Sequence, residues 1–139
     1  PVVGHIGLTP QSIHVMGRYR MFGQSDEEKK YLLDSALALQ EAGAFCLVLE
    51  CVEAEWAAEM TKKLSIPSIG IGSGKNCDGQ VLVIHDLLGL TAGRVPKFVE
   101  PEAALASEIK AAVARYIART KTAAPTKPMS PGGDHALSH

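Results

Sequence analysis

The sequence has 139 residues, a formal net charge of −1, and 46% hydrophobic against 21% charged residues. That length suits one domain, or one piece of a larger one, and is enough for a real core; the composition excludes wholesale disorder. The near-neutral charge offers no electrostatic footprint for nucleic acid or an anionic membrane, and no apolar run approaches the roughly 20 residues that span a bilayer.

The first apolar run, Val2-Val3, reads as a strand and ends in Gly4-His5-Ile6-Gly7-Leu8-Thr9-Pro10-Gln11. A polar connector with Gly17 and Gly23 follows, and His14 within it reads as a structural residue on a short helix. Ser25-Asp-Glu-Glu28 has the pattern of a capping box, a hydroxyl acceptor with a carboxylate three residues on that reaches back. A helix is expected from there to Ala42, with Leu32, Leu33, Ala36, Leu37 and Leu39 on a helical repeat. Gly43 suits the left-handed position just past its end.

Ala44-Phe-Cys-Leu-Val-Leu49 is unbroken apolar sequence leading straight into Glu50, which suggests a parallel strand buried on both faces. A helix fits Glu53 to Lys63, with acids in its first turn and Lys62 and Lys63 in its last, as the helix dipole favours. Ile66-Pro-Ser-Ile-Gly-Ile71 reads as a third strand opening at a proline. The glycine-rich Gly72-Ser73-Gly74-Lys75-Asn76-Cys77-Asp78-Gly79 leads to a fourth, Gln80-Val-Leu-Val-Ile84, ending in His85-Asp86. A connector with Gly89, Gly93 and Pro96 precedes a helix expected from Pro101 to Thr120, with Leu105, Ile109, Ala112, Val113, Tyr116 and Ile117 on one face. Residues 122–139, rich in Pro, Ser, Thr, Gly and His, read as a disordered tail. The alternation implies an α/β fold with a parallel sheet over residues 1–121. Four such strands need cover at both sheet edges, which an open doubly wound sheet or one half of a barrel would explain.

The polar residues fall at strand carboxyl ends, where parallel α/β folds carry their sites. Glu50, at the rim of an apolar run, suits a general base whose pKa partial desolvation lifts. It equally suits a rim carboxylate paired with a lysine or a helix N-terminus. His5 can face a substrate or be satisfied by backbone groups. His85-Asp86 can be a metal or acid-base pair, or merely end a strand and cap the next turn. The backbone amides of Gly72, Ser73 and Gly74 can cradle an anion, or the glycines can form a tight turn that lets a ligand approach the backbone. No Lys-Ser/Thr pair follows as in a P-loop, since Lys75 is followed by Asn76, which argues against a nucleotide site. Cys46, Cys51 and Cys77 lack zinc spacing and a CxxC pair, so they read as buried thiols in a reducing, cytoplasmic setting.

Four ordered segments carry a resemblance: His5-Ile-Gly-Leu-Thr-Pro-Gln11, Gly43-Ala-Phe-Cys-Leu-Val-Leu-Glu-Cys51, Ser65-Ile-Pro-Ser-Ile-Gly-Ile-Gly-Ser-Gly74 and Cys77-Asp-Gly-Gln-Val-Leu-Val-Ile-His-Asp86, with Pro96-Lys-Phe98 beyond them. Together they are similar to the ketopantoate hydroxymethyltransferase family over Pro1 to Tyr116. The resemblance implies a (β/α)8 barrel and large homo-oligomers, typically decamers. It implies transfer of a hydroxymethyl group from methylenetetrahydrofolate to the 2-oxo acid 3-methyl-2-oxobutanoate, giving ketopantoate for pantothenate and coenzyme A. In the family, magnesium binds the oxo acid and a glutamate removes the proton of its third carbon. By motif that glutamate falls on Glu50, and His5 falls on the histidine beside the substrate. Gly72, Ser73, Gly74, His85 and Asp86 fall on possible rim segments.

The resemblance places this sequence on strands five to eight, the second half of the barrel. The family's metal-binding acids lie upstream of His5, so no metal ligand is expected among these residues. Activity is then expected only with the upstream half, supplied by a preceding segment or a companion chain. Two other readings stay open: another magnesium-dependent lyase or mutase of 2-oxo acids, which would not need the folate, and a non-catalytic half-barrel, which would not turn over even with the other half supplied.

Overall fold

The computed structural model describes residues 1–9 and 20–122. His14 and residues 123–139 therefore lie outside the described residues. In chain order the elements are β1 (Val3–Gly7), α1 (Asp26–Glu41), β2 (Cys46–Glu50), α2 (Ala54–Lys63), β3 (Ser68–Ile71), β4 (Gly79–Gln80), α3 (Ile84–Leu87) and α4 (Leu105–Thr122). The strands form one sheet in the order β1-β2-β3-β4, and each neighbouring pair is parallel.

Alternation along the strands sorts the side chains onto two faces. The register pairs Gly4 with Leu47, Ile6 with Leu49, Leu47 with Ser68 and Leu49 with Gly70. These residues share the face that α1 and α2 cover. The core there joins Ile6, Leu47 and Leu49 to Leu32 and Ala36 of α1 and to Ala57 and Met60 of α2. Leu47, Leu49 and Met60 are wholly buried, and burying each such side chain contributes roughly 1.5–3 kcal/mol. Gly4 is part of this fit, since a Cβ there would stand 2.7 Å from the Leu47 side chain.

The opposite face carries Val3, His5, Val48, Glu50, Ile69 and Ile71. No helix among the described residues covers it, and Val3 is 47% exposed. This corrects the expectation of a strand buried on both sides: β2 is helix-covered on one face, while Val48 and Glu50 on the other are only partly buried.

Both ends of α1 form as its sequence demands. The Ser25 hydroxyl accepts from the Glu28 N–H, and the Glu28 carboxylate reaches back to the N–H groups of Gly23 and Gln24 and to Arg20. At the other end Gly43 takes φ +95°, its N–H bonding Gln40 O while the Ala44 N–H bonds Leu39 O. That is a Schellman ending, and it turns the chain directly into β2. The Glu53 carboxylate caps α2 through the N–H groups of Glu55 and Trp56, which holds it below the usual carboxylate range.

Two expectations need correction. The fourth strand stops at Gln80 instead of Ile84. Beyond Ile71 the chain turns away at Gly72, φ +64°, so β3 offers no backbone for residues after Val81 to pair with. His85-Asp86 consequently lies in the single turn of α3, not at a strand end. The last helix starts at Leu105, not Pro101, and among the described residues its apolar stripe is left open: Ile109, Val113 and Tyr116 are each more than half exposed.

Residues 72–78 connect β3 to β4 without a helix. The segment lies against the helix-side face because Gly70 leaves room, since a Cβ there would be 2.9 Å from Cys77 Sγ. Asp78 then fastens it, accepting from the Ser68 N–H at 2.8 Å and the Ser68 hydroxyl at 3.0 Å.

Candidate active site

β1 and β2 bring two functional side chains together on the uncovered face. His5 pairs in register with Val48, and Glu50 lies two residues further along β2 on the same face. His5 Nε2 and Glu50 Oε2 are 3.0 Å apart. The side chains are 35% and 18% exposed, so the pair is accessible yet flanked by protein. His5 sits in the middle of β1, not after it, and its side chain leans toward the carboxyl end of β2. A cleft of about 320 Å³ between β1 and α1 has His5 on its wall, together with Phe22 and Tyr31.

The turn after Glu50 is unusual. Cys51 takes φ +52°, the only non-glycine residue at positive φ among those described. Main-chain bonds lock it there: Glu50 O accepts from Leu8 N–H, Cys51 N–H donates to Ile71 O, and Cys51 O accepts from Phe22 N–H. Cys51 is buried, and burial, with the nearby Glu50 charge, pushes its thiol up to about 11. Burial also raises the Cys77 thiol. Cys46 and Cys51 are buried free thiols, as expected, while Cys77 is only partly so.

The glycine-rich loop presents no open cradle. Ser73 is 1% exposed, and its hydroxyl donates to Leu49 O at 2.7 Å and accepts from Val52 N–H at 3.0 Å. Gly72 and Gly74 serve close approach: a Cβ would stand 2.7 Å from the Phe98 ring at Gly72 and 2.6 Å from Ala54 Cβ at Gly74. His85 and Asp86 are not brought together by the turn. His85 is exposed, whereas Asp86 is buried and accepts from the Thr91 hydroxyl.

Magnesium takes about six oxygen ligands in near-octahedral geometry. Among the described residues no three His, Cys, Asp or Glu side chains gather, and the Glu50 carboxylate is turned to an imidazole nitrogen. These residues do not form a magnesium site by themselves, and the chemistry they offer is proton transfer. No described helix is long and apolar enough to cross a membrane.

Sequence patterning singled out His5 and Glu50 but missed what supports them. Ser73 looked like a rim residue, and no glycine or asparagine marked the left-handed turn at Cys51. The Phe98 ring over Gly72 had a signal only in its place within the Pro96-Lys-Phe98 segment.

Comparison with known proteins identifies the family. The 3-methyl-2-oxobutanoate hydroxymethyltransferase of Carboxydothermus hydrogenoformans is 54% identical over 121 residues, 87% of this chain and 44% of the relative. That of Syntrophotalea carbinolica is 51% identical over 138 residues, 99% of this chain and 50% of the relative. That of Escherichia fergusonii is 48% identical over 137 residues, again 99% and 50%. The chain thus spans about half the length of the curated relatives it matches. The family model for ketopantoate hydroxymethyltransferase matches residues 1–126, and the chain belongs to that family.

Proposed function

We propose that this chain contributes the proton-accepting side of a hydroxymethyltransferase that converts 3-methyl-2-oxobutanoate to ketopantoate with methylenetetrahydrofolate as one-carbon donor. The observation that carries the reading is the His5–Glu50 pair, 3.0 Å apart at the carboxyl end of a parallel sheet. Glu50 Oε1, the oxygen not engaged by His5, takes the proton from the third carbon of the oxo acid. The C–H electron pair becomes the enolate, whose carbon bonds to the methylene carbon as one of that carbon's two bonds to folate nitrogen breaks; the second breaks as water oxygen takes its place, and the two nitrogens receive the proton held by Glu50 and one from water. Water supplies the new hydroxyl, and tetrahydrofolate leaves. His5 donates from Nε2 to Glu50 Oε2, which fixes the orientation of the carboxylate. The partly apolar face around the pair, Val48 and Ile71, limits competition from water.

The uncovered sheet face and the outer strands β1 and β4 support a half of a (β/α)8 barrel, strands five to eight, closed by an upstream half. Val3, Val83 and Ile84 are 47%, 50% and 55% exposed, surface that such closure would bury. The metal-binding acids would come from that half, and turnover is expected only in the assembled barrel, as a homo-oligomer of decamer type.

The test is solvent-deuterium exchange at the third carbon of the oxo acid, without folate, in the assembled barrel. Glu50→Gln is expected to slow exchange by at least about a hundredfold, as loss of a general base does. Undiminished exchange in that variant would remove Glu50 as the base.

A further inference from the structure

We infer that Ser73 is a positioning residue for the reaction, holding the turn that aims the Glu50 carboxylate. This rests on the reading of Glu50 as proton acceptor. The Ser73 hydroxyl donates to Leu49 O at 2.7 Å and accepts from Val52 N–H at 3.0 Å. Those two backbone groups bracket the Glu50-Cys51 dipeptide, so a single side chain spans the segment from both sides. The bracketed turn is the one that needs holding, because Cys51 at φ +52° occupies a conformation that non-glycine residues adopt only at a cost.

The loop that delivers Ser73 is itself fixed. Gly72 and Gly74 take φ +64° and +74°, and these left-handed flanks direct the serine inward beneath β2. Gly72 lies against the Phe98 ring and Gly74 against Ala54, so neither side of the loop has slack. Ser73 therefore transmits a rigid loop position to the backbone of Glu50 while being too buried, at 1% exposure, to meet substrate. Loss of its hydroxyl lets the turn relax, and a shift of the carboxylate by an ångström is enough to cost about a hundredfold in rate.

The experiment uses the assembled barrel and the same exchange assay, with saturation curves in the oxo acid and thermal melts for each variant. Ser73→Ala is expected to lower kcat for exchange about ten- to a hundredfold. KM should stay within about twofold, at a temperature where the variant is fully folded. Ser73→Thr, which keeps the hydroxyl, is expected to retain most of kcat. In a Glu50→Gln background, Ser73→Ala should cause no further loss, because it acts through Glu50. Should Ser73→Ala not accumulate as folded protein, Ser73→Cys replaces it, its thiol being a weaker partner of similar bulk. The expected kcat order is then wild type, Thr, Cys at equal KM. A variant lacking the hydroxyl that melts earlier but keeps full kcat would overturn the inference while leaving Glu50 as base. Persistence of exchange in Glu50→Gln would instead overturn the reading on which it rests.

Discussion

Asp78→Ala removes the fastener of the β3-β4 connection, and its effect can be worked from the structure. Asp78 Oδ2 accepts from the Ser68 N–H at 2.8 Å and from the Ser68 hydroxyl at 3.0 Å. The hydroxyl keeps a second partner, Thr61 Oγ1 at 2.8 Å, but the amide of the wholly buried Ser68 loses its acceptor. An orphaned buried donor costs about 1–3 kcal/mol. Asp78 itself is exposed, so water reaches part of the gap, and the lower half of that range is expected. The two Ser68 hydrogen bonds hold the Asp78 carboxyl below the usual carboxylate range. A lowered folded pKa means the folded state binds fewer protons than the unfolded one across that interval. The stabilisation is therefore complete above the unfolded pKa of about 3.9, and fades as pH falls through the folded value. The assay is native-state amide exchange at Ser68 in the assembled protein. Asp78→Ala should speed it about 5- to 30-fold at pH 7, and the ratio should shrink toward one as pH falls through the lowered folded value of Asp78. Equal protection in both proteins at pH 7, or an undiminished ratio at low pH, would refute the reasoning.

His5→Ala leaves Glu50 in place but removes its 3.0 Å hydrogen-bond partner, and kcat for third-carbon exchange is expected to fall about tenfold or more; an unchanged kcat would show that the pairing is idle in the reaction. With its thiol near 11, Cys51 is only about one-thousandth thiolate at pH 8, so alkylation should be far slower in native than in denatured protein. Because folding raises this pKa, the stability tied to the neutral thiol is intact below about pH 8.5 and declines as pH rises toward the folded value. Rapid alkylation of native Cys51 at pH 8 would contradict its burial.

Much of this protein was legible before any coordinates. Local signals sufficed wherever the information is local. Ser25 and Glu28 mark the start of α1, Gly43 its end, and the apolar run before Glu50 a central parallel strand. Glu50 itself stood out because a carboxylate closing such a run is unusual. The four ordered segments also pointed to the family, since several motifs in one order are far more specific than any one of them. What resisted was everything set by partners distant in the chain. Val81 to Ile84 have strand composition, yet they do not pair, because β3 turns away at Gly72 and a strand needs a neighbour's backbone. His85-Asp86 could be read as a functional pair or as a strand end that caps the next turn, and the turn of α3 sends one side chain to solvent and the other to Thr91. Ser73 looked like part of an anion loop, and only the packing of Phe98 on Gly72 and Ala54 on Gly74 turns it inward onto β2. The distance between His5 and Glu50 belongs to the same class. Two residues 45 positions apart become hydrogen-bonded because strand register aligns them on one face. Residue type and spacing decide which elements form and which groups carry chemistry, while long-range pairing and packing decide which of those groups meet.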